Sequence, residues 1–237
     1  MKINYIHSIS DLTINKLKYI QKDLQDKIDL NTKLNINKIK ICAGVDVSYW
    51  TKNDKTFGVC SIILLDFNTK KVIKKFYSYG LVESNYISGY LSIRELPLIL
   101  KTTSLIPDTI KPDLFIFDGN GILHQNCFGI ATHASFFLDT PTIGVSKSLS
   151  KIDNLHFENP KNISNSYSYI SIDNSIRGVA FISHKDNKPI FISPGNFIDI
   201  DTSVECIKRL IDKESKLPLP TRLADIECNK LRKIYCK

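Results

Sequence analysis

The chain has 237 residues, 43% of them hydrophobic and 24% charged, enough for one well-buried domain over 1–237 and short for two. Its apolar runs at 62–65 and 114–117 are far shorter than the roughly 20 residues of a membrane helix, and residues 1–10 lack the charged-then-apolar pattern of a signal peptide. The net charge of +8 suits a polyanionic partner, but only five of the 32 basic residues are Arg, and so much Lys beside so much Ile and Asn is also what AT-rich coding writes.

Residues 11–29 place Ile14, Leu17, Ile20, Leu24 and Ile28 at helical steps, predicting an amphipathic helix that packs on the core within an N-terminal segment of 1–35. Residues 39–49, 57–66 and 72–81 are rich in β-branched and aromatic residues and are separated by turn-like 52–55 and 68–71, which predicts an antiparallel meander. A helix is expected over 89–105, with Pro97 kinking it or opening a second one. The wholly apolar strand 114–117 suits burial on both faces; a helix over 128–138 and a strand over 142–145 follow. Three antiparallel strands and then alternating helices and parallel strands suggest an α/β, ribonuclease H-like fold, a mixed sheet flanked by helices. The remainder predicts strands at 177–183 and 189–193, a helix at 203–211, a Pro-marked turn at 217–220 and a last helix at 221–233. The polar segment 159–168 is expected to be a mobile loop. Six cysteines (Cys42, Cys60, Cys127, Cys206, Cys228, Cys236) form no Cys-x-x-Cys pair, so reduced thiols are expected, in the cytoplasm or in a nucleus or nucleolus, and no structural zinc.

Asp46 lies in a strand otherwise made of Val, Ile and Cys, where a carboxylate is costly unless paired, hydrogen-bonded or bound to metal. A bland alternative is a strand-end Asp satisfied by backbone amides. Asp118 ends the apolar strand and precedes Gly119-Asn120-Gly121, the place beyond a strand's carboxyl end where α/β sites form; a plain Asp-Gly turn is the alternative. Two such acids on neighbouring strands favour a shared hard cation, Mg²⁺ or Mn²⁺. Glu95 shares an apolar helix face with Leu91 and Ile99, although an ion pair with Arg94 would also account for it. Asp225 on the last helix reads equally as a solvated helix acid, and Lys147 as surface decoration. His124 could contact substrate or move a proton, and Tyr86 is either core filler or an exposed wedge.

Together these segments resemble endonuclease V. The motifs are Ala-Gly-Val-Asp-Val-Ser at 43–48, Tyr-Ile-Ser-Gly-Tyr-Leu-Ser-Ile-Arg-Glu at 86–95 and Pro-Asp-Leu-Phe-Ile-Phe-Asp-Gly-Asn-Gly-Ile-Leu-His at 112–124. Gly-Ile-Ala-Thr-His at 129–133, Pro-Thr-Ile-Gly-Val-Ser-Lys at 141–147 and Leu-Pro-Thr-Arg-Leu-Ala-Asp at 219–225 complete the series in order. The resemblance implies a divalent-metal nuclease that cuts the second phosphodiester 3′ of inosine in RNA or DNA and leaves a 5′-phosphate; a monomer with no membrane partner is expected. It makes Asp46, Asp118 and Glu95 metal ligands, with Asp225 completing the acidic cluster and Lys147 positioning water or steadying the phosphate. It also makes Tyr86 a wedge filling the space of a flipped base, with Gly89, Arg94, Gly119, Gly121, His124 and Ser146 contacting substrate.

Asn85, Ser88 and Gln125-Asn126-Cys127 depart from the bacterial pattern, and Tyr-Ile-Ser-Gly with Asp-Gly-Asn-Gly looks closer to eukaryotic, RNA-acting members. That leans towards inosine in single-stranded RNA rather than repair of deaminated adenine in DNA. A catalytically silent inosine-RNA-binding protein and a nuclease without base preference are the alternatives; the carboxylates with Lys147 count against the first, the Tyr86 segment against the second.

Overall fold

A computed structural model describes residues 1–9, 13–82, 91–149 and 151–236. Strands β1 (Ile41–Lys52) and β2 (Lys55–Asp66) form a long hairpin in strict register from Ile41↔Asp66 to Lys52↔Lys55. Its two-residue turn puts Asn53 and Asp54 at φ 51° and 57°, the left-handed region that these two residue types tolerate best among those with side chains. Strand β3 (Val72–Leu81) adds antiparallel to β2.

Helix α2 (Leu91–Thr103) then leads to β4 (Leu114–Asp118), and α3 (Ile130–Leu138) to β5 (Thr142–Ser146). β4 pairs parallel with β1, and β5 parallel with β4. The chain continues through β6 (Leu155–His156), β7 (Ser166–Ile172), β8 (Ser175–Ile182) and β9 (Ile190–Asn196), then α4 (Ile200–Leu210) and α5 (Leu219–Tyr235). One nine-stranded mixed sheet results, in the order β3-β2-β1-β4-β5-β9-β8-β7-β6.

Alternation along the central strands sorts the core into two layers. Ala43, Val45, Phe115 and Phe117 face α2 and α3, where they meet Leu96, Ile99, Ala131 and Phe137. Cys42, Leu114, Ile116, Ile143 and Val145 face the opposite way, against Ile207, Leu210 and Ala224 of α4 and α5. This is the α/β, ribonuclease H-like arrangement expected from the order of elements. Helix α1 (Ile14–Gln25) buries Leu17, Gln21 and Leu24. Among the described residues no helix is long and apolar enough to cross a membrane. The six cysteines are free thiols, and only Cys236 is exposed.

Two expectations need correction. The segment 159–168 is not wholly loop: its last residues enter β7, whose side chains alternate between exposed and buried, so a polar half hides the strand from a reading based on apolar runs. Pro97 does not open a second helix, since α2 runs through it from Leu91 to Thr103; burial of Leu96, Leu98, Ile99 and Leu100 around it offsets the one intrahelical bond a proline removes.

Candidate active site

The same alternation that builds the core sets the site. Asp46 is in phase with Cys42, Asp118 with Leu114 and Ile116, and Lys147 with Ile143 and Val145. All three therefore project towards the α4–α5 layer, Asp118 and Lys147 at the carboxyl ends of β4 and β5 and Asp46 midway along β1, just past its last parallel pair with β4, Val45↔Phe117; the three strands are neighbours in the sheet. Asp225 comes down from α5. Its helix can approach because Gly44 has no side chain: a Cβ there would lie 2.1 Å from the Pro220 carbonyl carbon and oxygen. Cys228, one turn beyond Asp225, donates its thiol to the Asp46 carbonyl at 3.2 Å and locks the helix to the strand.

Lys147 Nζ donates to Asp118 Oδ2 at 2.9 Å and lies 4.0 Å from Asp225 Oδ2, linking the two acids. Partial burial works against its charge, but the Asp118 hydrogen bond and the nearby carboxylates outweigh it and hold the ammonium above its ordinary range. Asn229 Nδ2 steadies Asp225 Oδ1 at 2.9 Å. Burial, followed by the charges of Asp118 and Asp225, pushes the Asp46 carboxyl up to about 7. Burial and then the charge of Asp46 push Glu95 up to about 8, although the Tyr49 hydroxyl opposes this by donating to Glu95 Oε1 at 3.1 Å.

Glu95 belongs to the other layer, on α2, with Tyr49 beneath it. Arg94 does not close the ion pair with Glu95 that would have explained both residues structurally. Its guanidinium sits 4.2 Å over the Tyr49 ring, and its buried Nε has no hydrogen-bond partner. Tyr49 is the residue that sequence reasoning missed. The available signal was its odd position in β1, which puts it on the α2 side while Asp46 takes the other. Ser61, directly across the ladder from Asp46, was missed as well; its buried Oγ has no partner.

The donor set is hard oxygen with more negative than positive charge, which fits a divalent cation. Among the described residues, no three His, Cys, Asp or Glu side chains are already gathered as a metal-binding group in the metal-free protein. Mg²⁺ commonly keeps several waters and takes only one or two carboxylates plus a substrate phosphate, so the arrangement suits that ion.

Beside the acids, Gly119 N–H is bonded to Val145 O at 3.0 Å and Gly121 N–H to Ser193 Oγ at 2.8 Å, which fixes the turn after β4. His124 Nδ1 accepts from the Asn126 amide at 3.2 Å, and Asn126 Nδ2 donates to Gln21 of α1 at 3.0 Å. Ser146 is buried with its Oγ unpartnered at the end of β5. Tyr86 and Gly89 lie outside the described residues.

The sequence pattern of Endonuclease V matches residues 22–226. The chain belongs to the endonuclease V family. It is 44% identical to Endonuclease V of Clostridium acetobutylicum over 98% of both chains. It superposes on the crystal structure of the Bacillus subtilis family member with a TM-score of 0.95 at 42% identity, covering 99% of this chain and 98% of that one. A family structure from Ciona intestinalis, in complex with a 24mer DNA containing an inosine followed by a ribo-adenosine, gives a TM-score of 0.80 at 27% identity, over 93% and 98%. The chain is thus a nuclease hydrolase. The expected nearness to eukaryotic members is not supported, since the bacterial proteins are much the more similar here. Short motifs around Tyr86 and His124 carried that expectation, and they are a small fraction of the 237 residues.

Proposed function

We propose that the protein is a divalent-metal endonuclease that hydrolyses the second phosphodiester 3′ of inosine in single-stranded nucleic acid, leaving a 5′-phosphate and a 3′-hydroxyl. The observation that carries the reading is Asp46, a half-buried carboxyl pushed up to about 7 by burial and by the charges of Asp118 and Asp225, on the face of the sheet where Lys147 joins those two acids. A structural ion pair would not need two further acids around it. Asp46 and Asp118 would hold the cation, with Glu95 and Asp225 reached through water. The ion would lower the pKa of a bound water and neutralise charge developing on the phosphate.

Lys147 is held charged by Asp118 and is placed to steady the phosphate as negative charge grows. Glu95, anchored through one oxygen by Tyr49, offers the other to orient the attacking water. Inosine as the recognised base is supported by the Ciona relative's complex with inosine-containing DNA. Guanine's 2-amino group would clash in a tight pocket, and adenine would leave the pocket's polar groups unpaired, which is how a hydrogen-bonding site rejects near-isosteres. With bacterial proteins at 42–44% identity, DNA stands beside RNA as substrate.

The test is cleavage of matched single-stranded RNA and DNA oligonucleotides carrying one inosine, with and without Mg²⁺, beside Asp46→Ala. One cut 3′ of inosine, lost without metal and in the variant, is expected. Tight inosine-dependent binding with no cleavage under Mg²⁺ or Mn²⁺ would replace the nuclease by a silent binder.

A further inference from the structure

The α5-facing side of the β1–β2–β3 meander is built in cross-strand rows, and these continue past the acids. In register they are Asp46–Ser61–Tyr77, then Ser48–Val59–Tyr79, then Trp50–Phe57–Leu81, and finally Lys52–Lys55 at the hairpin tip. Residues directly opposite in a ladder share a face, so each row is one band of side chains. Helix α5 covers the second band: Cys228 and Leu231 pack on Val59, and Tyr235 stacks on Tyr79 at 4.0 Å.

The third band is not finished in this way. Trp50 and Phe57 lie nearly parallel, 5.8 Å between centroids and 16° between planes. Trp50 leans only partly on the Val59–Cys228–Leu231 cluster, both rings remain partly exposed, and Leu81 beside them is 46% exposed. The fourth band consists of two exposed lysines. An aromatic face followed by ammonium groups is the pairing that takes unpaired bases and their phosphates. Trp50 stands four residues along the strand from Asp46, roughly 14 Å at the rise of a β-strand, a few nucleotides of an extended chain.

We propose that Trp50 and Phe57 form a stacking platform for an unpaired base of the substrate strand, a few nucleotides from the bond that is cut, with Lys52 and Lys55 facing its phosphates. The platform adds affinity without reading sequence, since every base has a π-face. It deepens the proposed cleavage and rests on it only for the strand's path.

Trp50 is the single tryptophan of the chain, so its emission reports on this site alone. An inosine-containing single-stranded DNA is titrated into the full-length protein in EDTA, and into Asp46→Asn in Mg²⁺. Quenching that saturates with binding is expected. In anisotropy with a labelled strand, Trp50→Leu should weaken binding about tenfold or more and Trp50→Phe should recover most of it, in keeping with one base–aromatic stack. Binding with unmoved emission in both titrations, or Trp50→Leu and Trp50→Phe equal to the parent, overturns the platform. Emission that follows protein concentration and ignores the strand would assign the band to a second copy of the chain and overturns it too. Cleavage at inosine with silent emission removes the platform alone. Quenching by inosine-free strands together with no cleavage anywhere removes the inosine reading and leaves the platform.

Discussion

Gly44→Ala tests whether the site depends on how closely α5 approaches β1. The added Cβ would stand 2.1 Å from the Pro220 carbonyl, whereas ordinary contact begins at 3.4 Å, so the first turn of α5 must withdraw by about 1.3 Å. The obstacle is backbone and cannot swing aside. Overpacking of this kind costs about 1–3 kcal/mol, which in a chain of this size lowers the melting temperature by roughly 2–4 °C per kcal/mol. The withdrawal carries Asp225 away from Lys147, already 4.0 Å distant, and a misplacement of about 1 Å at a reacting centre costs on the order of 100-fold. Thermal melts and single-turnover cleavage of an inosine oligonucleotide, well below both melting points, measure the two effects. Gly80→Ala on edge strand β3 is the control, because its Cβ would meet nothing nearer than 3.8 Å. A Gly44→Ala protein with parental melting and rate would refute the argument, and so would equal losses in both variants.

Tyr49→Phe removes the hydroxyl bonded to Glu95; a hydrogen bond to a charged group is worth about 1.5–3 kcal/mol, so kcat should fall about tenfold or more with KM little changed, and a rise in KM alone would contradict the positioning role. In the metal-free protein, Asp46 and Glu95 titrate near 7 and 8 when folded and near 3.8 and 4.5 when free. Because the folded values are raised, the stability that these groups contribute is complete below about pH 4 and is lost as pH rises through 7 and 8. A divalent ion competes with those protons, so Mg²⁺ should raise the melting temperature much more at pH 8.5 than at pH 5.5; an equal shift at both would argue against carboxylate binding. His133, buried and 2.8 Å from His7, is pushed down to about 3 by burial and then by His7. It therefore destabilises the fold as pH falls below about 6.5, by about 1.4 kcal/mol per pH unit, and urea titrations at pH 7 and 4.5 should show a smaller acid loss for His133→Gln than for the parent.

Part of this arrangement is legible in the sequence. The strands 57–66 and 72–81 were readable because apolar and β-branched residues cluster between clear turn signals, and β2 and β3 begin and end within two residues of those limits. Strands β6 and β7 were not: β6 has two residues, and β7 alternates Ser with Tyr and Ile, so neither offers an apolar run. Asp46, Asp118 and Lys147 could be placed on one face by counting in twos along three strands. What the sequence does not contain is the distance at which α5 crosses those strands. The approach of Asp225 depends on contact between Gly44 and Pro220, 176 positions apart, a pairing that no local pattern announces.

The same counting sorts the four acids by the elements that carry them. Asp46, Asp118 and Asp225 share the α5 side of the sheet, and Lys147 binds two of them there. Glu95 comes from α2, held by Tyr49, which alternation places on the opposite face of β1 from Asp46 and three residues further along the strand. A cation held directly by one or two acids, with water bridging the rest, leaves coordination positions for a phosphate and for the water that attacks it. Three carboxylates closing on the ion would bind it more tightly and leave less room for the reacting groups. The placing of Asp46 and Tyr49 on opposite faces of β1 thus follows from a period of two residues, and a cation taken up on the Asp46 face would stay open to the substrate.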